Sequence, residues 1–311
     1  MSEANVLGQR TRRVNIDYGL AARVNKEVAE ELRLKRIESK KKNSSKDPSP
    51  VKESGIVADS GSGFFLLPEI ACFDEYLNYN EKYERLMVKK DVERDPKNPD
   101  MSRNRISMDT AGGINHFAGQ GNGMFLPSLA LTCNILEALY DRRSNPEARK
   151  ILMQYKDTGF GQGWHMQNTI VNWETRTIIH YPQKSDFAPC YSTSPDINSG
   201  RPTERYKINY SKIDNEPLEK ALEQWGTRRG YDNFIQSLMG LSYPHVLVDI
   251  GKYFGKETQI YVLRNQAGIK VPRAVMIGCD EDSFKIEIGM RIGSSCSARG
   301  VKKPDAKGDK K

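Results

Sequence analysis

The sequence predicts an α+β protein, with helices packed on a mixed, mostly antiparallel sheet and with disordered basic ends. Three observations lead there. Apolar residues recur at helical spacing in several separate segments, and β-prone runs of strand length stand between turn residues. The two ends are polar and basic, whereas the middle is not. The composition then divides the chain into a flexible basic arm over 1–62, an α+β body over 63–205, a helix-turn-helix with strands over 206–296 and a basic tail over 297–311.

The arm closes on KKKNSSKDPSPVKESGIVADSGSG, a linker composition that buries too little apolar surface to order itself. Within it, Val24, Val28 and Leu32 form a stripe across 21–42 that is too narrow to hold a helix alone but suits a partner helix. Over 66–90, Ile70, Phe73 and Leu77 share one helical face and Tyr76, Tyr79, Tyr83 and Met87 a neighbouring one, which predicts an amphipathic helix. DPKNPDMSRN then forces a loop.

The stretch from Thr110 to Pro182 carries two glycine-rich loops, each containing Gly-Gln-Gly. Pro127 suits the first turn of a helix whose stripe is Leu129, Cys133, Leu136, Leu139 and Tyr140. Ser144-Asn145-Pro146-Glu147 caps and opens the next helix, which uses Ile151, Leu152 and Tyr155. Thr169–Trp173 and Thr177–Tyr181 read as a hairpin around Glu174-Thr175-Arg176, and 183–203 as a long irregular loop.

Further on, Tyr206–Ile213 alternates as a strand. Helices follow over Leu218–Trp225, Tyr231–Met239 and from about Pro244 to Phe254. Strands then cover Gln259–Arg264, Val271–Cys279 and Phe284–Ile292. The pair of helices around Gly240-Leu241-Ser242 has the turn of a helix-turn-helix, with Ile235, Met239, Leu241 and Val246 at its apolar positions. A helix before the pair and a strand–turn–strand after it give 215–280 the order of a winged-helix-like part.

Charge narrows the function. The net +8 comes entirely from the ends: residues 1–60 hold 13 Lys/Arg against 9 Asp/Glu, and residues 297–311 hold 6 against 2. Basic tails attract polyanions without reading sequence, and they also keep proteins soluble. No apolar run nears the ~20 residues of a membrane span, and five scattered cysteines without CxxC are expected of a cytoplasmic protein with reduced thiols.

Two principal readings follow. In the first, the protein is a nucleic-acid-associated binding module: the basic ends supply non-specific affinity, and docking falls to Arg228, Arg229, Tyr243, His245, Lys252 and Lys256 around the helix-turn-helix-like element. In the second, it is a hydrolase or phosphate-ligand enzyme. Gly119, Gly121 and Gly123 with Gly161 and Gly163 would hold the ligand, and His165, His180 and Gln120 would do the chemistry. The spacing matches neither G-x-G-x-x-G nor a P-loop, because position 124 is Met and no lysine follows. Cys133 lies on the apolar stripe and is expected to be packing. No HxH, HExxH or paired-cysteine spacing occurs, so neither metal nor cofactor is expected. A scaffolding role is the third reading.

Overall fold

The computed structural model describes residues 63–74, 79–93, 110–156, 164–187, 201–207, 216–225, 232–241, 244–262, 272–291 and 297–304, all within the compact unit Val51–Lys311. The basic arm, with its 21–42 stripe, lies outside them. In chain order the elements begin with β1 (Phe64–Asp74) and β2 (Tyr79–Lys89), then α1 (Thr110–Gly119), α2 (Leu129–Asp141) and α3 (Pro146–Met153). Next come β3 (His165–Asn172), β4 (Thr177–His180), α4 (Lys184–Phe187), β5 (Glu204–Lys207) and β6 (Glu216–Pro217). The rest are α5 (Leu218–Trp225), α6 (Asp232–Met239), α7 (His245–Phe254), β7 (Glu257–Val262), β8 (Arg273–Cys279), β9 (Ser283–Arg291) and β10 (Val301–Lys302).

The class is α+β, and the main sheet is mixed and mostly antiparallel as the sequence predicts. Its order is β5-β4-β3-β8-β9-β7-β6, with only β7 and β9 parallel. Strands from both sides of residue 205 therefore share one sheet, and the expected boundary there separates no sheet. Alternation of side chains gives this sheet two apolar faces. Val171, Ile178, Val275 and Ile277 point into the larger core with α2, α3, α5, α6 and α7. Ile170, Ile179, Ala274 and Met276 point the other way, against Ala111, Ile114 and Phe117 of α1 and Phe187 of α4.

The helix expected over 66–90 is instead the antiparallel pair β1–β2. Pro68 and Glu69, the latter at φ 41, interrupt the strand alternation. Inward positions accordingly run Phe65, Leu67, Ile70 on β1 and Tyr83, Leu86, Val88 on β2. Of these, only Ile70 and Tyr83 belong to the faces on which a helix was expected. This small sheet covers α2, whose residues from Leu129 to Leu136 are all buried. Helix α2 also starts about two residues later than expected, at Leu129. Ser128, not Pro127, opens it, accepting the Leu131 amide at 3.1 Å, because Pro127 gives its carbonyl to Asn168 of β3. Asn145 caps α3 as expected, accepting the amides of Glu147 and Ala148 at 2.9 and 3.2 Å.

Two further expectations are corrected. β7 and β8 are not a hairpin wing, since β9 lies between them and pairs with both. The segment 297–304 is no appendage either. Ser297 and Ala298 exchange backbone hydrogen bonds with Trp164, Met166 and Glu93, and Val301 bonds Phe125 in both directions at 2.9 and 3.0 Å. With β10 on β2, this strap joins the small sheet to the large one. Its Arg299 is buried and donates to the carbonyls of Lys89 and Lys90 and to Gln154.

Candidate functional site

The three histidines of the central stretch take separate places. The turn after Asn172 sets the hairpin register, which puts His180 opposite Thr169, not His165. His180 has no solvent exposure. The Leu129 amide donates to the Thr169 hydroxyl at 2.9 Å, and that hydroxyl lies 2.8 Å from His180 Nδ1. His180 Nε2 lies 2.6 Å from the Ser237 carbonyl. A carbonyl only accepts, so Nε2 carries a proton and donates it to Ser237. The imidazole bridges the start of α2, β3 and α6.

His165 is buried as well. Its ring stacks on Tyr155 at 4.1 Å, and its Nε2 is 3.4 Å from the Gln154 carbonyl. The Arg299 guanidinium sits 5.5 Å from the Tyr155 ring centre. Burial raises the Tyr155 pKa against the pull of Arg299, and burial lowers that of Arg299.

Gln120 belongs with the third histidine. Its side-chain amide is 2.8 Å from His116 Nε2, and the buried Glu93 carboxylate is 3.7 Å from the same nitrogen. Gly119, Gly121 and Gly123 are exposed, with Gly121 and Gly123 at φ 64 and 73. Gly119 ends α1, Gly121 and Gly123 follow it, and Met124–Ser128 separate them from the start of α2, so this loop does not lead directly into a helix N-terminus. Gly161 and Gly163 lie outside the described residues. Cys133 is fully buried on α2, and burial first, Glu137 second, pushes its thiol far up. It is packing, as expected.

The helix-turn-helix-like element buries the four apolar positions read from the sequence: Ile235, Met239, Leu241 and Val246. Its turn residue Gly240 is left-handed at φ 55, and its carbonyl accepts Asn134 Nδ2 of α2 at 2.9 Å. Helix α7 lies flat on the body, with Val246, Leu247, Val248, Ile250, Gly251 and Phe254 buried. At Gly251 the approach is so close that a Cβ would stand 1.9 Å from the Thr258 hydroxyl.

Of the residues proposed for docking, Arg228, Arg229 and Tyr243 lie outside the described residues. His245 is half-buried. Lys252 pairs with Glu219 at 3.3 Å, and Lys256 is drawn onto the Asp280 carbonyl at 2.7 Å. What α7 turns outward is Asp249, Lys252 and Tyr253. Tyr253 is 37% exposed, and with Met153 it is the most open large apolar side chain among the described residues. Its ring meets Tyr140 of α2 edge-on, centroids 5.8 Å apart at 75°. The Arg143 guanidinium stacks on Tyr140 at 4.1 Å and donates to the Tyr140 carbonyl at 2.8 Å.

Sequence reasoning missed Tyr140, Arg143 and Tyr253 as site residues. Their signal was weak but present: Tyr253 stands four residues after Asp249, on the polar side of α7. Among the described residues, no group of three or more His, Cys, Asp or Glu is placed to hold a metal ion, and no helix is long and apolar enough to cross a membrane. No protein-family model, curated protein or solved structure matches the chain.

Proposed function

We propose that the protein is a nucleic-acid-associated binding protein that engages its ligand through the outward face of α7 and the C-terminal end of α2, helped by its basic ends. The observation that carries this reading is the series Arg143–Tyr140–Tyr253 beside Lys252, in which Arg143 and Tyr253 are exposed and the half-buried Tyr140 joins them. Aromatic rings held on rigid helices offer stacking surface at small entropic cost, and a guanidinium beside them offers N–H groups to phosphate. The polar atoms of His180 are bonded within the fold and His165 is stacked inside it, so this reading places function on the surface and not at those histidines.

The test is binding of the full chain to labelled DNA and RNA, single-stranded and duplex, at ~50 mM salt, where phosphate contacts are strong. The double change Arg143→Ala with Lys252→Ala removes two exposed cations and leaves the core untouched. It is expected to weaken binding and to flatten the dependence of log K on log salt by one to two phosphate contacts, about 0.7 in slope for each on a single strand. Absence of binding to all four ligands contradicts the reading.

A further inference from the structure

We infer that the ligand of the α7 face is an unpaired strand, one of whose bases stacks on the ring of Tyr253; this rests on the nucleic-acid reading above.

The argument begins with how α7 sits. A helix that reads a duplex enters the major groove and presents amides and guanidiniums to base edges along its N-terminal half. Here that half is the most enclosed part: Val246, Leu247 and Val248 are buried and His245 is half-buried. Only one side of the helix reaches solvent, and it offers an acid, an already paired lysine and an aromatic ring. That inventory is poor for base edges and good for a base face.

Strandedness then follows from which surface each nucleic acid exposes. In a duplex the base faces cover one another, leaving edges and phosphates. A tyrosine ring gains little from either beyond one hydroxyl contact. In an unpaired strand each base has a free face, which stacks on an aromatic ring regardless of its identity.

The support of Tyr253 fits that use. The edge-on contact with Tyr140 fixes one side of the ring, and Tyr140 is in turn held between Arg143 and the core. A ring fixed in this way loses little freedom on stacking. Among the described residues the Arg143 guanidinium donates only through Nη1, to the Tyr140 carbonyl, so the stacked fork has further donors to offer a phosphate flanking the base.

Charge points the same way. Lys252 is offset by Glu219, and Asp249 stands on the same side of α7, so the face itself is not a strong cation. Affinity there comes mainly from stacking, which salt does not screen, while the phosphate contribution comes from Arg143, from at most one contact of the offset Lys252 and from the basic ends. The two contributions are separable by experiment.

The experiment measures binding of the full chain to three fluorescein-labelled probes: oligo(dT), oligo(U) of equal length, and a blunt DNA hairpin whose loop is a non-nucleotide linker, so that it has no unpaired base. The proteins compared are the wild type, Tyr253→Ala and Tyr253→Phe, each across a salt series. Both single strands are expected to bind at least tenfold more tightly than the hairpin. Tyr253→Ala is expected to weaken single-strand binding by about 5- to 150-fold, the range one stacked base contributes, without changing the salt slope. Tyr253→Phe is expected to restore it, since the ring and not the hydroxyl does the stacking. Equal binding of hairpin and strand, or a Tyr253→Ala protein that binds strands as the wild type does, overturns this inference alone. Failure of the wild type to bind any probe overturns the nucleic-acid reading with it.

Discussion

His180 and Tyr253 are both aromatic side chains on regular elements, and the fold uses them in opposite ways. Around His180 each polar contact closes on the protein itself: the amide of Leu129, the hydroxyl of Thr169, the imidazole and the carbonyl of Ser237 form one chain through the interior. Around Tyr253 a ring is left open, braced from behind by Tyr140. The comparison teaches that a histidine in a conspicuous sequence context is no guide to chemistry until its partners are known. A buried imidazole bonded at both nitrogens ties elements together. The groups that the fold leaves open lie at the rim, on the back of a helix whose front is core.

The largest effect that would break this comparison comes from the strap. Deleting residues 297–311 removes Arg299, Val301 and the backbone bonds to Trp164, Met166, Glu93 and Phe125. The loss is expected to exceed about 4 kcal/mol, among the large values for a small change and a big fraction of a typical ~5–15 kcal/mol. Deleting only 305–311 leaves the strap intact and is expected to change stability little. Urea unfolding of the two truncations checks this. Equal stability would mean that the interior does not depend on the strap.

The smallest effect concerns the rim beside α7. Asp280 opens the turn between β8 and β9. Burial alone would raise its pKa, but Lys285, the amides of Ser283 and Asp282 and the Ser283 hydroxyl overcome that and hold it down at about 2. A depressed carboxyl stabilises the fold above its unfolded value, about 3.9, and loses that contribution as pH falls through about 2. The side chain is 34% exposed, so solvent screening limits the contribution to no more than ~1 kcal/mol. Urea midpoints of wild type and Asp280→Asn should differ above about pH 4 and converge near pH 2. A difference that persists unchanged at pH 2 would assign the effect to the turn's hydrogen bonds and not to charge.

How much of this was legible depends on how local the signal was. Asn145 before Pro146 announces α3, and Asn172 with Thr177 frames the hairpin, because caps and turns act over three or four residues. Strands β1 and β2 read as a helix because Ile70, Phe73 and Leu77 recur at helical spacing, whereas the pairing of β1 with β2 joins residues up to 25 positions apart and leaves no periodic mark. The parallel pairing of β7 with β9 leaves no mark in either strand, so the hairpin expected of β7 and β8 could not be ruled out from local sequence. The strap hid behind its charge: Arg299 in SARGVKKP looks solvated, and only the carbonyls of Lys89 and Lys90 explain its burial. At the candidate site the sequence singled out α7 and Lys252. It could not show that Tyr140 and Arg143 of a distant helix complete the face.

The most direct test of the central claim measures stability and strand binding on the same two variants, His180→Ala and Tyr253→Ala. His180→Ala empties a filled interior position and breaks a hydrogen-bonded chain, so it is expected to lose about 3–4 kcal/mol while binding an unpaired oligonucleotide as the wild type does under conditions where it remains folded. Tyr253→Ala is expected to unfold within about 0.5 kcal/mol of the wild type and to lose most of its binding. The opposite pattern, a stable His180→Ala protein that no longer binds and a Tyr253→Ala protein that still does, would contradict the account and return the search for function to the interior histidines.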